Sequence, residues 1–322
     1  MAFESIKDIP AVGFGLWKIG PEICEDTVYE AIKCGYRHLD AACDYGNEVE
    51  VGRGIQRALA DGICTREELW VTSKLWNTYH RAEHVTPALD RTLNDLQLEY
   101  LDLYLIHFPI ALEFVPFETR YPPEWFFDPD TSDPCMKPSR VPLSDTWHSM
   151  EKLKAEGKAK HIGVCNYSSG LLHDLMNYCT TPPELLQIES HPYLTQEKLV
   201  RLAKQYGLEV TAFSPLGSLS YVELDMASQD ESILEQAVVQ EIASRLECSA
   251  AQVVLAWGVQ RGTSVVVKSM NPERMEQNLA AAEIELSEND MQAISALNQN
   301  RRYNDPGVFC EGAFNTFHPI YD

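Results

Sequence analysis

Short apolar runs alternate along the chain with longer segments whose apolar residues recur at helical spacing. That is the pattern of repeated strand–helix units around a parallel sheet, not of an antiparallel sandwich. The runs that read as strands are Tyr36–Ala42, Leu69–Trp76, Leu101–His107, Ala159–Asn166, Glu184–Ser190, Leu208–Ser214, Ser264–Ser269 and, more weakly, Ala282–Leu286. Between them Cys24–Gly35, His84–Gln97 and Ile233–Leu246 each carry one apolar stripe and read as helices packed on the sheet. Two further helical segments, Ala250–Gln260 and Leu286–Asn298, exceed what a minimal barrel requires. The longest irregular stretch, Ile110–Leu143, contains seven prolines together with Trp125, Phe126 and Phe127. A loop of that length is usually functional, and its aromatic residues favour a lid.

A length of 322 residues suits one α/β barrel, so a single domain spanning 1–322 is expected, and no Pro/Ser-rich linker divides it. The 26 basic and 48 acidic residues give a net charge of -22. Such a chain repels nucleic acid and anionic membranes, and any phosphate it binds must be held by a local cation cluster. Nine cysteines form no CxxC pair, the N-terminal sequence lacks the features of a secretory signal, and no run is long enough to span a membrane. These features predict a reduced, cytoplasmic protein.

The predicted strands finish, one after another, in Asp40, Lys74, His107, Asn166, Gln187, Ser214 and Lys268. Any single polar end has an ordinary structural explanation. In a parallel barrel, however, these ends converge on the face where active sites are built. Asp40, Lys74 and His107 come from consecutive predicted strands, and Tyr45 follows Asp40 closely enough to join them. A lysine beside a tyrosine favours the phenolate, so Tyr45 is expected to have a lowered pKa and to transfer a proton near neutral pH. The neutral form of His107 would orient a carbonyl oxygen. Neither GxSxG nor GxGxxG occurs, which argues against a hydrolase elbow and a Rossmann domain. His80-Arg-Ala-Glu83-His84 matches a zinc-site pattern, but it starts in a polar loop without an evident third ligand, so no metal is expected.

The segments PAVGFGLWKI, GYRHLDAACDYGNE, TSKLWN, LDLYLIHFP, IGVCNYS, LQIESHPYL, FSPLG, VVVKSMNPERMEQN and RRYNDP together resemble the aldo-keto reductases, above all the xylose and aldose reductases. The resemblance covers nearly the whole chain. It implies a (β/α)8 TIM barrel with extra helices and long lid and C-terminal loops. It also implies a nicotinamide cofactor as hydride donor and a catalytic tetrad of Asp40, Tyr45, Lys74 and His107, with Tyr45 as the acid.

By the same resemblance Cys165, Asn166 and Gln187 would meet the nicotinamide carboxamide and Phe213 would stack on its ring. Ser214, Leu216 and Ser218 would follow the pyrophosphate. Lys268, Ser269 and Arg274 would hold the adenosine 2′-phosphate, with Gln277 beside them and Asn278 at the adenine. Two cations suit a phosphate dianion, so NADPH is the expected cofactor, with NADH as a second donor. Cys165 stands where many relatives have serine, and a thiol is the weaker hydrogen-bond donor.

Trp17, Asp44, Trp76, Phe108 and Asn304 match positions lining the pocket of sugar reductases and imply an open-chain aldose such as xylose as substrate. Reduction of an aldose phosphate or of a general aldehyde is an alternative, as is a low-turnover regulatory subunit. The tail GVFCEGAFNTFHPIYD departs from the xylose reductase ending, which leaves the natural sugar open. The expected partners are small molecules, and the protein would be a monomer or a homodimer.

Overall fold

A computed structural model describes residues 3–321. Eight strands close in chain order into a parallel barrel: β1 Val12–Gly15, β2 His38–Asp40, β3 Trp70–Leu75, β4 Leu101–Ile106, β5 Ala159–Cys165, β6 Leu185–Glu189, β7 Glu209–Phe213 and β8 Ser264–Val267. The ring is completed by β1 pairing with β8, where Phe14 stands opposite Val267. Helices α1 Pro21–Cys34, α2 Glu48–Ala60, α3 Ala82–Leu96, α4 Leu143–Ala155, α5 Ser169–Tyr178 and α6 Glu197–Gln205 follow strands β1 to β6 in turn. After β7 come α7 Ala237–Leu246 and α8 Ala250–Gln260, and after β8 come α9 Pro272–Ala280, α10 Glu288–Ser295 and α11 Pro306–Phe314.

The two-residue period of the strands divides their side chains between two cores. Tyr104 and Ile106 of β4 belong to the large apolar layer beneath the helices, whereas Trp70, Leu103, Leu105, Cys165 and Leu185 form a separate cluster closed by Phe3, Ile6 and Ile9. Positions of this second set, continued along the strands, are Lys74 after Trp70 and Thr72, His107 after Leu103 and Leu105, and Gln187 after Leu185. The inner face is thus apolar at the N-terminal ends of the strands and polar at their C-terminal ends. This explains why an apolar run such as β4 leads into a histidine.

Two strand expectations fail. Val12–Gly15, part of the PAVGFGLWKI segment, is the first strand of the barrel. Its two glycines hide the strand period, yet at Gly13 a Cβ would lie 2.5 Å from His38 Nδ1, so the barrel interior requires glycine there. Ala282–Leu286 is not a strand: Ala281–Glu283 is a 3₁₀ turn. Leu286 N–H donates to Gln260 Oε1 at 2.9 Å and its carbonyl accepts from Gln260 Nε2 at 2.7 Å, so one glutamine amide substitutes for a neighbouring strand.

The surplus helices are present. α7, α8 and α10 share an apolar cluster of Val239, Ile242, Trp257 and Ile294. Ile233–Glu235, expected as the start of α7, is a separate 3₁₀ turn, because Gln236 is extended. The long loop folds as a lid and is joined to the tail: Met136 N–H donates to Phe314 O at 3.0 Å, Thr316 Oγ1 donates to Met136 O at 2.9 Å, and Trp125 stacks on Phe314. The tail is not only loop, since Asp305 caps α11 by accepting from Gly307 N–H at 2.8 Å. Among the described residues no helix is long and apolar enough to cross a membrane.

Candidate active site

A cleft of about 1330 Å³ opens at the C-terminal ends of the strands. At its floor Lys74 Nζ donates to Asp40 Oδ1 at 2.6 Å, to Ala41 O at 2.9 Å and to Tyr45 Oη at 3.1 Å. Asp40 and Lys74 are brought together because β2 pairs with β3. Tyr45 is carried by the 3₁₀ turn Cys43–Tyr45, which ends at Gly46 with φ 68. That left-handed conformation favours glycine. The second carboxylate oxygen of Asp40 accepts from Gln187 Nε2 at 2.7 Å, and the Cys165 thiol donates to Gln187 Oε1 at 3.4 Å. Two strands on the far side of the barrel therefore help to hold the carboxylate.

Burial works against the Lys74 ammonium, but its neighbours, the Asp40 carboxylate foremost, more than offset it and hold its pKa above the ordinary lysine value. Burial, reinforced by the Lys74 charge, pushes His107 well below the ordinary histidine range, so its ring is neutral. Tyr45 corrects the sequence expectation. Burial raises its phenol above the usual value, and the attraction of Lys74 lowers it only in part. Tyr45 is thus a protonated phenol at neutral pH, beside an ammonium that would stabilise its phenolate. His107 meets the Tyr45 ring edge-on at a centroid distance of 5.9 Å and stacks on Phe108 at 4.9 Å.

Most of the expected residues line this one cleft: Trp17, Asp40, Asp44, Tyr45, His107, Phe108, Cys165, Asn166, Gln187, Phe213, Ser214, Leu216, Lys268, Ser269, Arg274, Gln277, Asn278 and Asn304. Three do not. Lys74 is 1% exposed and reaches the cleft through Asp40 and Tyr45, which line it. Trp76 is fully buried behind His107 and Phe108, with its Nε1 donating to the lid carbonyl of Glu124 at 3.0 Å. Ser218 is also fully buried, and its hydroxyl donates to Glu231 O at 3.2 Å, so Leu219 and Ser220 face the cleft instead. Burial and the nearby Glu124 push the Asp44 carboxyl up to about 8.

The sequence reading did not assign the residues that close the mouth. Trp125 of the lid packs on Phe108, Phe309 and Phe314 at centroid distances of 5.3, 5.3 and 5.6 Å, giving the cleft an aromatic wall. The lid's aromatic content was its only signal. On the other side the Lys18 ammonium binds Ser220 O and, at 2.7 Å, Glu223 Oε1. This ties the β7–α7 loop across the groove, a contact over some 200 residues of chain that no local pattern announces. The zinc-like motif is dispersed into packing. His80 is buried, and His84 stacks on Phe114 at 3.7 Å.

A parallel eight-stranded barrel with Asp, Tyr, Lys and His converging at one mouth, and a groove running from them to two cations, defines a reductase of the aldo-keto type. The aldo/keto reductase family model matches residues 11–299, and the chain belongs to that family. It is 47% identical over 300 residues to the protein named probable NAD(P)H-dependent D-xylose reductase of Arthroderma otae, covering 92% of this chain and 90% of that one. It is 44% identical over 311 residues to the NAD(P)H-dependent D-xylose reductase of Pyricularia oryzae, covering 96% and 95%. Among solved structures, the aldose reductase of Schistosoma japonicum superposes with a TM-score of 0.84 at 36% identity, covering 98% of this chain and 96% of that one. The aldose reductase of Giardia lamblia gives the same TM-score and identity over 99% and 100%.

Proposed function

We propose that the protein reduces an open-chain aldose of the xylose type to its alditol with NADPH, the whole of 1–322 acting as one barrel domain and NADH serving as a second donor. The observation that carries this reading is the Asp40–Lys74–Tyr45 hydrogen-bonded chain at the floor of a cleft large enough for a dinucleotide and a small sugar. Family membership and the names of the similar proteins support it.

The cleft fits the cofactor. Among the described residues Arg274 makes no ion pair and the one hydrogen bond of the Lys268 ammonium is to the Lys18 carbonyl, so two cations at the far end of the groove are left for a phosphate. Asn166, Gln187 and Cys165 offer amide and thiol groups at the near end, beside the ring of Phe213. When bound there, the nicotinamide would supply the hydride. The protein's own part is proton transfer. Tyr45 Oη donates its proton to the carbonyl oxygen as negative charge develops on it, and Lys74 stabilises the phenolate left behind. A raised phenol pKa does not prevent this step, because the alkoxide being formed is a stronger base than a phenolate. Asp40, fixed by Lys74 and Gln187, keeps the ammonium in place. Neutral His107 directs a ring N–H at the same oxygen, and the lid and tail aromatics exclude water.

Asp44 and Asn304 favour a hydroxylated substrate. With its pKa near 8 the Asp44 carboxyl is protonated at neutral pH and able to donate as well as accept. A sugar phosphate is disfavoured, because Arg120 spends its guanidinium on the lid carbonyls of Pro123 and Phe126, and Lys18 is committed to Glu223. The aromatic wall of Trp125, Phe309 and Phe314 supports a second reading, reduction of apolar aldehydes. The nine free cysteines fit a reducing, cytoplasmic setting. The test is consumption of NADPH, then NADH, with xylose, a hexose, a hexose phosphate and an aromatic aldehyde. Preferential turnover of xylose supports the proposal, and preference for the aromatic aldehyde supports the second reading.

A further inference from the structure

The divergent tail ends against a residue of the cleft. Asn166 follows β5 with a left-handed backbone, φ 61, and is 2% exposed. Its Nδ2 donates to the backbone carbonyl of His107 at 2.9 Å, which fixes which end of the amide is oxygen. On that oxygen, Oδ1, the phenol of Tyr321 donates at 3.1 Å. Tyr321 does not line the main cleft. It belongs to a smaller side cavity with Gln196, Arg302 and Asp305, behind Asn166. Its ring lies 3.6 Å from the Arg302 guanidinium, and Arg302 Nη2 donates to Gln196 Oε1 at 3.2 Å. Gln196 Nε2 in turn donates to Glu189 O at 2.6 Å, which ties the support to the end of β6.

We infer that Tyr321 is a positioning residue: from the irregular tail after α11 its hydroxyl locks the Asn166 amide in the orientation that receives the nicotinamide carboxamide. The inference rests on the cofactor reading above, in which Asn166 meets that carboxamide. An amide oxygen accepts two hydrogen bonds. With one lone pair taken by Tyr321 and one N–H taken by His107 O, Asn166 retains one acceptor and one donor site for the ligand, in a fixed plane. The same amide links the tail to His107, a proposed catalytic residue, through its backbone. Tail sequence and cofactor geometry are therefore coupled in this protein.

The test is Tyr321→Phe in the full-length protein, which deletes the hydroxyl and keeps the ring on Arg302. Affinities for NADPH and for 2′-phospho-ADP-ribose, which lacks the nicotinamide, are measured side by side. Loss of one orienting hydrogen bond predicts NADPH binding weakened about 3- to 10-fold with the fragment unchanged. The KM for NADPH should rise similarly, while the KM for aldehyde at saturating cofactor changes less. A general structural defect would weaken both ligands together, so equal losses overturn the inference, as does an unchanged NADPH affinity. Asn166→Ala separates this from the underlying reading. If that variant also binds NADPH normally, the cofactor assignment at Asn166 fails and the inference with it; if only Tyr321→Phe is silent, the inference alone fails.

Discussion

Lys74 holds its ammonium 2.6 Å from the Asp40 carboxylate inside the barrel mouth, where the two side chains are 1% and 4% exposed. A buried pair is costly to halve, because the remaining charge keeps its desolvation penalty and loses its partner. Asp40→Asn should therefore destabilise the protein by about 3 to 5 kcal/mol in chemical denaturation. It should also slow reduction, because the buried Lys74 loses the partner that keeps it charged and in place beside the Tyr45 phenolate. Unchanged stability would mean that the ammonium is better solvated than its burial shows.

Arg274 lies exposed on the first turn of α9, free of any acid partner among the described residues. Arg274→Ala should raise the KM for NADPH about tenfold and leave that for NADH nearly unchanged, since only the former carries the 2′-phosphate. The difference should shrink at high ionic strength. Equal effects on both cofactors would place the guanidinium elsewhere on the dinucleotide.

A pH dependence of stability follows from Glu48, which is buried behind the site and accepts from Ser73 Oγ at 2.6 Å and Thr92 Oγ1 at 3.0 Å. Burial raises its carboxyl to about 7, from 4.5 in the absence of structure. A raised carboxyl pKa means the folded protein binds the proton more tightly than the unfolded chain. Its contribution is complete below pH 4.5 and is lost as pH rises through about 7. The shift corresponds to about 3 kcal/mol. Denaturation of the wild type and Glu48→Gln between pH 4 and pH 8 should show the wild type losing about that much relative to the variant. Parallel profiles would contradict it.

The site was more legible in the sequence than the barrel's closure. Strands buried on both faces announce themselves as apolar runs, so seven of them and the polar residue ending each could be read directly. β1 escaped because its interior has room only for glycine at position 13, and a glycine-rich run has no strand period. Ala282–Leu286 misled because alternation marks any extended segment, whether it pairs with a strand or, as here, with the Gln260 amide. Ser218 and Trp76 were assigned by resemblance alone, and whether a side chain lines a cleft or backs it depends on a fraction of a turn. The contacts of Lys18 with Glu223 and of Tyr321 with Asn166 join distant parts of the chain and leave no trace in local pattern.

The electrostatics of Tyr45 show the same limit. A lysine on the neighbouring strand could be foreseen, but not the depth of the pocket, and it is burial that sets the phenol's direction of shift.

Delivery of the proton by Tyr45 in an NADPH-dependent reduction of an aldose is tested most directly by comparing the wild type with Tyr45→Phe on xylose. NADPH consumption and NADPH binding are followed on the same preparations. The wild type should turn over xylose and the variant should lose at least about a hundredfold of that rate, with cofactor affinity retained. Reduction by Tyr45→Phe at the wild-type rate would contradict it.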